Sequence, residues 1–130
     1  MTFEADLKTH LQSDTAISAL VADRIHPLKL DDGATLPAIT FQQIADDPQS
    51  GLDGDDGNLI RYRIQINVWA SGSNGYMDAK ALAELVRIRL QTEASTFSAV
   101  PEPSGQDVYE PNTKRFGFLR DFSIWYRSTT

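Results

Sequence analysis

Apolar and polar residues alternate strictly through the middle of the chain. Across residues 59–70 the even positions are Ile60, Tyr62, Ile64, Ile66, Val68 and Ala70, whereas the odd ones include Arg61, Arg63, Gln65 and Asn67. A two-residue period sustained this far predicts a long strand with one face on a core. Ser71-Gly72-Ser73-Asn74-Gly75 follows, a run that tolerates turn geometry and can cap a helix. Ala79, Leu82, Ala83, Val86 and Leu90 then recur at helical spacing and predict one amphipathic helix.

The flanking segments fit around this unit. Thr2 can cap a first helix, with Glu4 and Asp6 near its positive end and Phe3, Leu7 and Leu11 on one side. Ser13-Asp14 interrupts it and can cap a second short helix bearing Ile17, Leu20 and Val21. That second helix carries no basic residue, which argues against a helix-turn-helix reader of DNA. Residues 24–30 form a short extended piece that Pro27 confines to an edge. Residues 38–44 predict a strand with Ile39 and Phe41 on one face, and residues 45–58 a long mobile loop.

After the long helix, residues 92–105 carry Pro101, Pro103 and Gly105 and are expected to be irregular, with a short strand at 97–100. Residues 107–110 then pair through Pro111-Asn112-Thr113 with a final strand at 114–127. In that strand Phe116, Phe118, Phe122, Ile124 and Tyr126 share a face, interrupted by Arg120. The order predicts one α+β domain over 1–130: a mostly antiparallel sheet, one long helix packed on a face and two short N-terminal helices.

Composition narrows the chemistry. The chain has no cysteine, which removes disulfides, thiolate metal sites and cysteine nucleophiles. A net charge of −6 opposes a grip on nucleic acid, though not the passage of DNA nearby. No stretch is apolar enough to span a membrane, and the acidic opening is unlike a secretion signal, so the chain is expected to fold in the cytosol. The acidic run Asp53-Gly54-Asp55-Asp56-Gly57-Asn58 fails as an EF-hand: its sixth position is Asn58, and its twelfth is Ile64. The turn at 71–75 lacks the first glycine of a nucleophile elbow and the lysine of a Walker motif. His10, assigned to a helix surface, and His26 have no third ligand for zinc. No enzyme activity, metal or cofactor is predicted. Glu84 and Arg87, three apart, predict a weak surface ion pair.

One oddity is aromatic. Trp69 and Trp125 fall on the nominally polar faces of the two longest strands, and Leu119 joins Trp125. Two readings stand: the N-terminal helices cover that face, or it is a subunit interface, where tryptophan and arginine are favoured anchors.

Several stretches read in succession carry a resemblance. They are Phe3-Glu4-Ala5-Asp6-Leu7, Asp23-Arg24-Ile25-His26-Pro27-Leu28 and Leu36-Pro37-Ala38-Ile39-Thr40-Phe41-Gln42. Further along come residues 63–70, Ala79-Lys80-Ala81-Leu82-Ala83, Val108-Tyr109-Glu110-Pro111 and residues 121–127. In this order and spacing the chain resembles the small tail-completion, or tail-terminator, proteins of long-tailed phages and related gene transfer agents. The resemblance implies a structural virion protein that forms a sixfold ring on the finished tail tube. Such a ring stops tube polymerisation and offers a surface to the neck of the filled head, at the head-proximal end of a tail assembled in the host cytoplasm. Its implied partners are further copies of itself, the major tail tube protein and a neck protein, with DNA passing through the lumen unbound. It implies no cofactor and no catalytic residue. It favours Trp69, Leu119, Trp125, Arg61 and Arg63 as interface residues, and Leu52, Asp53, Asp55 and Asp56 as loop contacts to a subunit or the tube. The rivals are a neck adaptor ring and, in another class, a small-ligand or regulatory binding module using the sheet face opposite the helix.

Overall fold

The computed structural model describes residues 3–31, 33–49, 59–91 and 97–127. Its elements are α1 (Phe3–Gln12), α2 (Thr15–Val21), β1 (Ile25–Pro27), β2 (Ala38–Gln49), β3 (Leu59–Ser71), α3 (Gly75–Gln91), β4 (Phe97–Glu110) and β5 (Arg115–Arg127). The strands form one sheet in the order β1-β2-β3-β5-β4. β1 and β2 run parallel, and the other neighbours are antiparallel, so the fold is α+β as expected.

β3 pairs with β5 from Leu59 opposite Arg127 to Ser71 opposite Arg115, without a register shift. Residues directly opposite share a face. Ile64 therefore joins Phe122 and Tyr62 joins Ile124, making one apolar surface. α3 buries Ala79, Leu82, Val86 and Leu90 on it, α1 adds Phe3, Leu7 and Leu11, and α2 adds Ile17 and Val21. Each of these leucine, isoleucine, valine and phenylalanine side chains contributes about 1.5–3 kcal/mol by leaving water. α1, α2 and α3 thus all occupy the same side of the sheet. Leu20 was expected with Ile17 and Val21 but is largely exposed, because a two-turn helix turns only its i, i+4 pair inward.

Polar contacts fasten the helix ends. Asp14 Oδ1 accepts from Ala16 N (2.9 Å) and Ile17 N (3.2 Å), capping α2. His10 is buried rather than on a free helix surface, since it flanks the Leu7 stripe where the end of α3 packs. Its Nε2 donates to the Arg89 carbonyl (3.0 Å), and Arg89 Nε donates to the His10 carbonyl (3.0 Å). Burial holds the His10 pKa below its ordinary value. At the other end of α1, Phe3 stacks on Tyr62 with ring centroids 4.1 Å apart and meets Tyr126 edge-on at 5.2 Å. The Tyr126 hydroxyl donates to Asp6 Oδ2 at 2.5 Å.

Two stretches expected to be irregular are strand. β2 continues to Gln49 because β3 offers a ladder that far: after a bulge between Gln43 and Ala45, residues 45–49 pair with Arg63 back to Leu59. β4 runs through Pro101 to Glu110. It is an edge strand with a register shift between Pro101 and Gly105, where a missing N–H costs no ladder bond. Residues 50–58, including Leu52, Asp53, Asp55 and Asp56, lie outside the described residues, as do Thr2 and residues 92–96.

The edge strand is held to α3 by Lys80. Its Nζ lies 2.8 Å from Asp107 Oδ1 and 4.3 Å from the centre of the Phe118 ring. The same hydrogen bond holds the Asp107 carboxyl below the usual range and Lys80 above its own. Arg120, the polar break in the apolar face of β5, stacks on Phe118 (5.5 Å) and donates to the Glu102 carbonyl (2.8 Å). Glu84 and Arg87 form the expected ion pair on α3.

The Tyr126–Asp6 contact carries a pH signature. The hydrogen bond to Asp6, then burial, pushes the Tyr126 hydroxyl from 10.0 up to about 12. The stabilisation is complete below about pH 10 and is lost as pH rises toward about 12, because the unfolded tyrosine ionises first. Thermal melts across that range should show stability falling, and Tyr126→Phe should flatten the slope. An unchanged slope in the variant would remove this contact as its source.

Candidate functional site

With the helices gathered on one side, the opposite face of the sheet presents the odd-numbered residues of β3 and β5. Register places Arg61 against Trp125, Arg63 against Ser123, Gln65 against Asp121, Asn67 against Leu119 and Trp69 against Gly117. The N-terminal helices pack elsewhere and do not cover this face. Its two ends differ.

The Trp69 end is closed from within the protomer. The connection from β1 to β2 must return along the length of the strands, because those strands are parallel. It reaches as far as β5, where the buried Arg115 donates to the Asp31 carbonyl. Arg24 Nε holds its far end through the Pro37 carbonyl (3.0 Å). Trp69 lies across Gly117, where a Cβ would come within 2.7 Å of Cζ3, and its Nε1 donates to Thr40 Oγ1 (3.1 Å). Glycine at 117 is what lets the indole lie flat. Beside it Asn67 is 7% exposed, and among the described residues its Oδ1 meets no hydrogen-bond donor.

Among the described residues the Trp125 end is partly open: Arg61, Arg63, Leu119 and Trp125 are half-buried there, and Ser123 is buried. The Arg61 guanidinium sits 5.6 Å from the Trp125 ring centre and donates to Ser123 Oγ (3.2 Å). Ser123 in turn donates to Glu102 Oε1 (2.7 Å) on β4. Arg63 and Gln65 both approach the Asp121 carboxylate at 3.5 Å. Leu119 is half-buried and lines a shallow depression with Gln65, Gly105, Gln106 and Asp121. These contacts are part-buried: the Arg63 and Asp121 side chains keep 43% and 20% of their surface, and Ser123 is buried. Stacking on Trp125, hydrogen bonding to arginine and covering Leu119 are what the surface offers.

The structure therefore brings Arg61, Arg63, Leu119 and Trp125 onto one face. It puts Trp69 on that face too, but at the closed end with partners of its own. Ser123 and Glu102 join Arg61 in one small network, and Asp121 and Gln65 join Arg63 in another; sequence reasoning missed all four. The register of the two alternating strands, read against each other, would have found Ser123, Asp121 and Gln65. Among the described residues no three histidine or carboxylate side chains gather to hold a metal, and no helix is long and apolar enough to cross a membrane.

A two-layer α+β protein with a stacking and hydrogen-bonding face, opposite its helices, is suited to contact with other proteins. The family profile described as Tail completion protein gp17 matches residues 5–127, and the chain belongs to that family of structural phage tail proteins. No curated protein matches the chain.

Gly117→Ala should displace the Trp69 indole and break its bond to Thr40. Overpacking of this kind costs about 1–3 kcal/mol. A lower melting temperature with a changed tryptophan emission spectrum is the expected outcome, and an unaltered spectrum would show that the ring has room to move.

Proposed function

We propose that this protein caps the finished tail tube as a ring, halting tube polymerisation and offering a surface for the neck of the filled head. Membership of the tail completion family carries the reading. The open face bearing Arg61, Arg63, Leu119 and Trp125 supports it by supplying an aromatic and arginine-rich contact surface. The ring has six copies on the tail, and its partners are the major tail tube protein and a neck or head-completion protein. Leu52, Asp53, Asp55 and Asp56, between β2 and β3, add contacts to a subunit or the tube. The net charge of −6 suits a lumen through which DNA slides without sticking. The ring acts at the head-proximal end of a phage or gene transfer agent tail, after assembly in the host cytoplasm.

Deleting the gene in the producing host and measuring tails by electron microscopy tests this directly. Overlong or variable headless tubes are expected. Normal-length tails beside separate full heads would instead identify a neck adaptor, and intact infectious particles would return the protein to an unassigned binding role. At residue level, Trp125→Ala should weaken ring assembly more than it lowers the melting temperature. The reverse pattern would make Trp125 a core residue.

A further inference from the structure

β1 starts to cover the outer edge of β2 and then abandons it. Ile25, His26 and Pro27 pair with Ile39, Thr40 and Phe41, and Leu28 N still donates to the Phe41 carbonyl (2.8 Å). There the chain turns away. Lys29 N donates to the Pro27 carbonyl (2.8 Å), closing a three-residue turn around Leu28, whose φ is +67°. Bulky residues seldom adopt positive φ, and a γ-turn of this hand is strained. A straight continuation would have covered β2 past Phe41 without that strain. Among the described residues nothing pairs with the edge beyond this point. Leu28, 69% exposed, and Ile44, 46% exposed at the bulge, flank it.

Among the described residues the sheet has a second free edge: β4 pairs with β5 alone, and Val100 on it is 51% exposed. Free edges are ordinarily guarded by charged side chains or proline. Residues 38–45 and 97–100 contain neither, in a chain where 23% of residues are charged. The guards sit at the limits: Asp46-Asp47 follow the open stretch of β2, and Pro101 ends that of β4.

We propose that the edge of β2 at residues 42–45 pairs with the edge of β4 at residues 98–100 of a second copy, so that the sheet runs on from subunit to subunit. This rests on the ring reading. The two edges lie on opposite sides of the sheet, so the contact is head-to-tail, as a closed ring requires. Closure leaves no such edge unpaired. Each subunit supplies both halves of the contact.

The absence of native cysteine makes the test direct. Ile44→Cys and Val100→Cys chains, mixed and treated with a short bis-maleimide, should give linked dimers that neither variant gives alone. The double variant should give a ladder ending at the ring's own size. Ile44→Lys and Val100→Lys, both at exposed positions, should leave the melting temperature unchanged while weakening ring assembly by about tenfold or more. Rings that assemble without the cross-link and ignore both lysines would overturn edge pairing and leave the ring reading standing. Cross-linking of Ile44→Cys to a different tail protein in assembled particles would overturn the choice of partner. Failure to form rings even on purified tail tubes would overturn the ring reading and this contact with it.

Discussion

The unbroken ladder between β3 and β5 sets both faces of the sheet at once, and the rest of the molecule is arranged around that register. Ile64 and Phe122 face the helices only because Arg63 and Ser123 face away. A slip by one residue would expose the apolar stripe and drive Arg61 and Arg63 beneath α3. Core and contact surface are therefore two readings of one alignment. The Arg61–Trp125 stack exists because the core register is right.

Placing α1, α2 and α3 on the same side leaves their ends to be satisfied by one another. Helix C-termini expose unpaired carbonyls, and arginines meet them here. Arg89 serves the His10 carbonyl near the end of α1, and Arg24 Nη2 serves the Leu20 carbonyl near the end of α2 at 2.9 Å. Ser18 Oγ donates to the Gln12 carbonyl at the α1–α2 corner. On the other side Arg115 ties down the β1–β2 connection in the same manner. Arg24, Arg89, Arg115 and Arg120 thus reach backbone carbonyls, whereas Arg61 and Arg63 turn to side chains on the open face.

What could be read from the chain was whatever periodicity encodes. The alternation of 59–70 and the i, i+4 stripe of α3 defined the central strand and helix, and the order of elements followed from them. The end of β2 and most of β4 were hidden because local composition opposed the outcome. Asp46, Asp47 and Pro48 read as loop until β3 supplies a partner, and Pro101 reads as a breaker until an edge position makes its missing N–H harmless. The candidate face was half legible. Arg61, Arg63 and Trp125 stood out by residue type, whereas Ser123 and Glu102 are ordinary residues until pairing brings them together. That Trp69 would lie on Gly117 needed the register as well.

The hydrogen bond from Tyr126 to Asp6 joins groups 120 residues apart. During synthesis α1 leaves the ribosome well before the strand carrying its partner. Until β5 emerges, β3 has no neighbour on that side, and the surface on which Phe3 stacks is incomplete. Such non-local closure is slow relative to helix formation. The nascent chain must therefore pass through a stage in which strand edges and aromatic side chains are exposed, when association with other chains is least controlled. A subunit competent to assemble exists only after β5 has been inserted beside β3.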